Sequence, residues 1–413
     1  MTATVTIVAM RRITLLLSLL GLVSPLLLSG PGSEMANAAK AHKIGHVWTI
    51  LLENEEFEQT FVVGRTAAPY LTQTLVDKGE LIAQYYGTGH SSLDNYIAMT
   101  GGQGPNISTQ GDCDDPTTLG GPHRQWHFDK DGQAVDDSGV GASHVGCTYP
   151  AKVKSLGDQL SAAHVSWKGY MENMDAQPGK PSHCSSPLTT GPAKPKRTIA
   201  RPDYKDKHNP FGYFHSIVDR RAYCNRHVVP MGSFSHHKVV GPLAHDLRTV
   251  ATTPRYSFIT PGQCHDGHDA CPSNNGNQFK GIDQFLKVVV PQIMASPAYK
   301  LDGLIIITFD EGSTDLVCCG EKKGPNLPST QNNGFPLPGP IADGGGVVGA
   351  LFLSPFVVAG EKDVTNEFNH YSYLRSMEDL FGIRRGGTDG HGHLGYAAQR
   401  GLLTFQEAGD LPG

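Results

Sequence analysis

The sequence predicts an α/β fold with a mainly parallel central sheet flanked by helices. Short apolar, β-branched runs alternate with segments of helical spacing, the pattern of a parallel sheet covered on both faces. Leu304-Ile305-Ile306-Ile307 is apolar without alternation, which suits a central strand buried on both sides. No internal repeat is evident. Taken in order, His46–Leu52 reads as a strand and Pro69–Lys78 as a helix with apolar spacings of three and four. Leu81–Tyr86 is a strand, followed by a helix over Leu93–Thr100. A helix over Val153–His164 leads into a strand at Val165–Gly169. Tyr256–Thr260 is a strand and Ile282–Ala295 a helix. Strands at Gly303–Phe309 and Val347–Leu353 and a helix at Tyr371–Phe381 complete the core.

The 413 residues include 49 Gly and 28 Pro, close to one in five, where average usage is about 12 %. These residues gather near 101–146, 177–210 and 312–346, three loop insertions. Charged residues are 18 % of the chain, which excludes a coiled coil and a charge-driven disordered chain. With a net charge of -5 there is no basic excess for a phosphate backbone, so no nucleic-acid partner is expected. Histidine is abundant instead, at 19 residues, and imidazole serves acid–base and metal chemistry.

Arg11 and Arg12 precede an apolar run from Ile13 to Leu28, and Ala36-Asn37-Ala38 follows as a small-residue cleavage pattern. Residues 1–38 are therefore expected to be a signal peptide of a secreted or extracytoplasmic protein. Ser18, Gly21, Ser24 and Pro25 break the run, so no stable membrane span is expected. Residues 39–413 read as a single catalytic domain carrying the three insertions. Eight cysteines remain, an even number that favours disulfides after export. Pairing by neighbourhood would join 113–147, 184–224, 264–271 and the adjacent 318–319, although spacing leaves other connectivities open.

Two strands run into acidic ends: Leu52 into Glu53-Asn54, and Phe309 into Asp310-Glu311. In an open α/β sheet, ligands bind beyond the carboxyl ends of the strands. Three carboxylates and an amide converging there would repel one another unless a divalent metal neutralised them. Gly89-His90-Ser91-Ser92-Leu93-Asp94-Asn95-Tyr96 opens a helix, placing Ser92 near amide groups that favour a phosphate; as a plain structural feature Ser92 would be the helix cap. Ser91 imitates the acyl-hydrolase GxSxG pattern, but Leu93 takes the place of its last glycine. Cys264-His265-Asp266-Gly267-His268-Asp269 is a second acidic and histidine-rich turn. Lys207-His208-Asn209-Pro210 closes the second insertion, and Asn369-His370-Tyr371-Ser372 starts the last helix.

In their order these motifs resemble the bacterial phosphoesterase family of acid phosphatases and phospholipase C-like enzymes, within the alkaline-phosphatase-like superfamily. The resemblance rests on Leu52-Glu53-Asn54-Glu55-Glu56-Phe57, His90-Ser91-Ser92-Leu93-Asp94-Asn95-Tyr96, Thr308-Phe309-Asp310-Glu311-Gly312, Leu353-Ser354-Pro355-Phe356-Val357 and Asn369-His370-Tyr371-Ser372. It runs from about Lys43 to Leu394. Ala68-Pro69-Tyr70-Leu71 and Gln84-Tyr85-Tyr86-Gly87-Thr88 are similar to a mycobacterial branch of secreted acid phosphatases acting on phosphoinositides.

The resemblance implies Ser92 as nucleophile and Glu53, Asn54, Asp310 and Glu311 as ligands of a divalent metal of unspecified identity and number. It implies that His208 holds phosphate or protonates the leaving group, and that Asp266, His268 and His370 complete the metal or phosphate site; His90 is a second candidate proton donor and Asn95 a further candidate for the metal or phosphate site. Asp94 stands where many relatives carry Pro. The implied activity is a metal-dependent phosphomonoesterase working through a phosphoseryl intermediate on a phosphate ester, a small molecule or a lipid headgroup. The alternatives are a phospholipase C-type phosphodiesterase, a serine acyl hydrolase using Ser91, and a non-catalytic exported metal-binding protein.

Overall fold

The computed structural model describes residues 43–106, 109–113, 126–136, 148–176, 183–185, 204–325 and 344–412. The expected signal peptide and much of the three insertions lie outside these residues. Valine, isoleucine, leucine and aromatic residues dominate the strands β1 (His46–Leu52), β2 (Glu80–Ile82), β3 (Trp167–Met171), β4 (Val228–Pro230), β5 (Tyr256–Thr260), β6 (Gly303–Phe309) and β7 (Ala350–Leu353). With the polar edge strand β8 (Glu361–Asp363) they form one sheet in the order β8-β2-β7-β6-β1-β5-β3-β4. From β4 through β6 every pairing is parallel. Every residue of β1 and β6 is buried, as unbroken apolar runs between two helical layers require.

The strand end at Val347–Leu353 enters the sheet differently. Gly344, Gly346 and Gly349, all at positive φ, turn the chain, and β7 runs antiparallel to both β6 and β2. The run Leu81–Tyr86 divides: β2 ends at Ile82, and Ala83 N–H closes its pairing with β8 by donating to Asp363 O. Tyr85-Tyr86 then pairs with Phe368-Asn369 in a separate ribbon. That ribbon places Tyr85 next to the helix that starts at His370.

Helices α1 (Ser92–Gly101), α2 (Leu156–Ala162), α3 (Gln278–Ala295) and α4 (His370–Leu380) match four predicted segments with shifted ends. Caps explain the shifts. Ser155 and Asp158 form a capping box that starts α2 after Val153 and Lys154. The Asn277 side chain accepts from Lys280 N–H and begins α3 a turn earlier than its apolar stripe. Asn369 accepts from Tyr371 and Ser372 N–H and starts α4. The segment predicted as an α-helix at Pro69–Lys78 is a wide turn over Tyr70–Leu75 closed by a tight one at Val76–Lys78. Asp283 of α3 takes the Tyr70 and Leu71 N–H groups and anchors it. On α3, Ile282, Phe285, Leu286, Val289, Val290 and Ile293 are buried and join the apolar core. At about 25 cal/mol per Å² such a face supplies most of the helix's stability.

Three of the neighbourhood disulfides are formed: Cys184–Cys224, Cys264–Cys271 and the adjacent Cys318–Cys319. Cys113 is also disulfide-bonded, and Cys147 lies outside the described residues. Among the described residues no helix is long and apolar enough to cross a membrane.

At the far edge of the sheet, burial and then the Asp410 carboxyl push Glu80 of β2 up to about 8 from an ordinary 4.5. A carboxyl raised in the fold favours folding at low pH and loses that contribution as pH climbs from about 4.5 through about 8. Glu80→Gln should therefore melt close to the unmodified chain at pH 4.5 and roughly 3–8 °C above it at pH 8.5. Thermal melts across that range check this; an equal shift at both pH values contradicts it.

Candidate active site

The parallel order β6-β1-β5-β3 brings four carboxyl ends to one edge, and acidic residues follow each of them. The register aligns Leu52 with Phe309, Ile50 with Ile259 and Met171 with Thr260. Hence Asp310-Glu311, Glu53, the Asp266 turn and Glu172 stand side by side. Main-chain bonds lock the row: Asp310 N–H donates to Leu52 O at 3.0 Å and Glu53 N–H to Asp266 O at 2.8 Å. Gly267 sits at φ +110 with its Cα against Glu53; a Cβ there would lie 2.8 Å from Glu53 O, so the turn requires glycine. Glu172 accepts from Gly262 N–H at 2.7 Å and from His265 at 2.9 Å, fixing the turn that carries Asp266.

Across this edge, α1 delivers Ser92 as its first residue. Ser92 Oγ donates to Glu53 Oε2 at 2.8 Å and accepts from Lys207 Nζ at 3.1 Å. Tyr96, one turn on, donates to Glu53 Oε1 at 2.5 Å. Ser91, not Ser92, is the helix cap position, and its hydroxyl is spent on Gln110 O at 2.6 Å. The carboxylate of Asp112 takes Leu93 N–H at 3.1 Å in place of a serine cap and accepts from Lys207 Nζ at 2.7 Å. Asn95 faces back into its own turn, accepting from Thr88 N–H and donating to Gly89 O and Ser91 O.

His208 is buried and stacked on Tyr96, the ring centroids 5.4 Å apart. Its Nε2 lies 3.2 Å from Glu53 Oε2 and its Nδ1 3.6 Å from Asp266 Oδ2. His370 donates from Nε2 to Asp310 O at 2.6 Å, and its Nδ1 accepts from Tyr85 at 3.0 Å. It therefore braces the Asp310 main chain. His268 is exposed and pairs with Asp269, contributing only its N–H to Asp266 Oδ1. His90 pairs with Asp315 at 2.9 Å on the adjoining loop. Asn54 is exposed, in the left-handed region at φ 55, and meets Asp310 Oδ1 through its N–H at 2.8 Å.

The electrostatics follow from crowding. Burial alone would raise the Glu53 carboxyl, but His208, Lys207 and Tyr96 hold it far below the usual range. Asp266 and Asp310 are raised well above theirs, by burial and then by the charge on Glu53. Glu311 is raised by burial and then by Asp310. Asp94 is raised by burial, Asp112 and Glu321. Burial opposes the Lys207 charge, yet Asp112 and Glu53 keep it firmly protonated. Burial lowers His208 despite Glu53, and takes His370 down to about 4. Both imidazoles are neutral at pH 7.

Among the described residues, no group of three or more His, Cys, Asp or Glu side chains is gathered closely enough to hold a metal ion. The donor set nevertheless fits one. Asp266 Oδ2, Asp310 Oδ2 and Glu311 Oε2 are buried without a hydrogen-bond partner beside the ionised Glu53. Such oxygens are the hard ligands of a divalent cation. Lys207, Asp112 and Tyr96 were not among the residues expected at the site. Lys207 had a signal, standing beside His208 in one motif. Asp112 had only its place before Cys113.

The Phosphoesterase family profile matches residues 62–384, and the chain belongs to that family. It is 25 % identical over 270 residues to a phosphate-repressible acid phosphatase of Penicillium chrysogenum, covering 64 % of this chain and 47 % of that protein. It is 24 % identical over 381 residues to a probable acid phosphatase of Kluyveromyces lactis, covering 91 % of this chain and 68 % of the other. The chain thus spans about half the length of the first and about two thirds of the second. Among solved structures it is similar to a protein in the alkaline phosphatase superfamily from Vibrio parahaemolyticus (13 % identity, TM-score 0.46, 84 % of this chain and 68 % of that one). It is likewise similar to the lipoteichoic acid synthase LtaP from Listeria monocytogenes (13 % identity, TM-score 0.44, 86 % and 75 %).

Proposed function

We propose that this chain is a phosphoric-ester hydrolase in which Ser92 attacks phosphorus and forms a phosphoseryl intermediate. The observation that carries the reading is the buried Ser92 hydroxyl, hydrogen-bonded at once to an ionised carboxylate and to an ammonium. Family membership and the acid phosphatase relatives support the substrate class. Phosphoryl transfer needs positioning and charge more than covalent chemistry, and the strand edge with α1 supplies both.

In the first half-reaction the Ser92 Oγ–P bond forms in line as the ester P–O bond breaks. Glu53 Oε2, already the acceptor of the hydroxyl hydrogen, receives that proton late in a loose transition state. His90, paired with Asp315 on the adjoining loop, gives a proton to the departing alcohol. In the second half-reaction neutral His208 takes a proton from water, whose oxygen bonds to phosphorus as the Ser92 Oγ–P bond breaks. Glu53 returns its proton to Ser92 Oγ, phosphate leaves, and His208 gives up its proton to solvent as His90 regains one. A divalent cation bound by Glu53, Asp310, Glu311 and Asn54 would supply positive charge that makes Ser92 more acidic and draws a phosphoryl oxygen. Asp266 would add to that set. Release from the cell and action on phosphoinositide headgroups belong to the same reading.

The test is hydrolysis of an aryl phosphate, an aryl phosphodiester, an aryl acetate and a phosphatidylinositol phosphate, with and without chelator. Phosphate-ester turnover should fall at least about 100-fold on chelation and return with a divalent cation. Turnover of the acetate alone, indifferent to chelator, overturns the reading in favour of an acyl hydrolase.

A further inference from the structure

Resting on the hydrolase reading, we infer that Lys207 takes a non-bridging phosphoryl oxygen and makes this site select phosphate monoesters over diesters, with Asp112 as its positioning residue. The geometry starts at the reacting atom. A phosphorus poised for attack sits about 3–3.5 Å from Ser92 Oγ. Lys207 Nζ is 3.1 Å from that same oxygen, so its ammonium lies within one hydrogen bond of a phosphoryl oxygen brought there.

The surroundings give this cation its leverage. Glu53, Asp266, Asp310, Glu311 and Asp94 line or adjoin the edge, and all are buried. A second negative charge on the substrate is costly against ionised Glu53 and the carboxyl oxygens around it unless a fixed cation meets it. The monoester group carries between one and two negative charges at neutral pH, with three free oxygens. A diester carries one charge, and its second ester oxygen is a poorer acceptor. Lys207 therefore has more to offer the monoester, and more to offer its transition state.

Asp112 fixes where that cation stands. Its Oδ2 accepts from Lys207 Nζ at 2.7 Å, and its Oδ1 accepts from Leu93 N–H at 3.1 Å. One carboxylate thus ties the cation to the turn that presents Ser92. The Lys207 side chain is 16 % exposed, leaving it little freedom to swing away.

The test compares unmodified full-length protein with Lys207→Met, Lys207→Gln, Lys207→Arg and Asp112→Asn, each supplied with the divalent cation that sustains activity. The substrates are 4-nitrophenyl phosphate and bis(4-nitrophenyl) phosphate, and inorganic phosphate binding is followed by calorimetry. Lys207→Met should lose about 100-fold or more in kcat/KM on the monoester but about tenfold on the diester, and bind phosphate at least about tenfold more weakly. Lys207→Arg should keep most of the preference, and Asp112→Asn should lose part of it with its fold intact by circular dichroism. If Lys207→Met does not fold, Lys207→Gln is read in its place. Equal losses on both esters with unchanged phosphate affinity overturn the inference and leave Lys207 a counterion of Glu53 and Asp112. Unmodified protein that hydrolyses neither ester, yet loses phosphate affinity on Lys207→Met, overturns the hydrolase reading but keeps the anion site. Absence of both hydrolysis and phosphate binding overturns the two together.

Discussion

Ser92→Ala should lower kcat on an aryl phosphate by at least about 1,000-fold while shifting the melting temperature little. The hydroxyl is a single buried donor and acceptor, and its loss leaves Glu53 bonded to Tyr96 and Lys207 bonded to Asp112. The fold has no reason to fail. Acid quenching of the unmodified chain during turnover should leave phosphate on the peptide containing Ser92, detectable by mass spectrometry. Ser91→Ala is the matched control, since that hydroxyl only holds Gln110 O. Full activity in Ser92→Ala would remove the nucleophile from the mechanism.

Glu53→Gln carries the second large effect, and activity and stability should separate. The change removes the acceptor of the Ser92 proton and the one firmly ionised carboxylate of the cluster, so kcat should fall by about 100-fold or more. Stability at neutral pH should change little, because two effects oppose. The favourable contribution of a carboxylate held far below its usual range by His208, Lys207 and Tyr96 is lost. Against that loss, Asp266 and Asp310 are held above their ordinary range by burial and then by the Glu53 charge. With that charge gone both carboxyls become easier to ionise inside the fold. The cost of burying them at pH 7 shrinks accordingly. A pH series of thermal melts beside kcat measurements checks the pair. A collapse of stability matching the loss of activity would show Glu53 to be a structural anchor.

Much of this architecture is legible in the chain. The strands at His46–Leu52, Tyr256–Thr260 and Gly303–Phe309 are continuous apolar runs bounded by polar residues, so local pattern alone delimits them. Because they are parallel neighbours, the residues after them share an edge, and Glu53, Asp266 and Asp310 could be grouped without coordinates. The direction of β7 was not legible, since apolar pattern does not distinguish parallel from antiparallel pairing; glycines at positive φ before it decide. Histidines were the least readable. His208 and His370 are buried against carboxylate and main-chain partners, while His268, in an equally suggestive turn, faces solvent. Lys207 and Asp112 escaped because their meaning lies in each other. They are 95 positions apart, and only the folded chain places both beside Ser92.

The left-handed backbone at Asp112 and Cys113, at φ 53 and 55, ties the nucleophile turn to the state of one sulfur. Aspartate adopts that conformation more readily than most residues and cysteine does not, and the bonded sulfur of Cys113 is the tether next to it. The central sheet needs no such tether. The bonded sulfur thus acts on the segment that carries Asp112, whose carboxylate joins Lys207 Nζ to Leu93 N–H. Reduction of that sulfur should therefore leave the central sheet standing while loosening the hold of Asp112 on Lys207 beside Ser92.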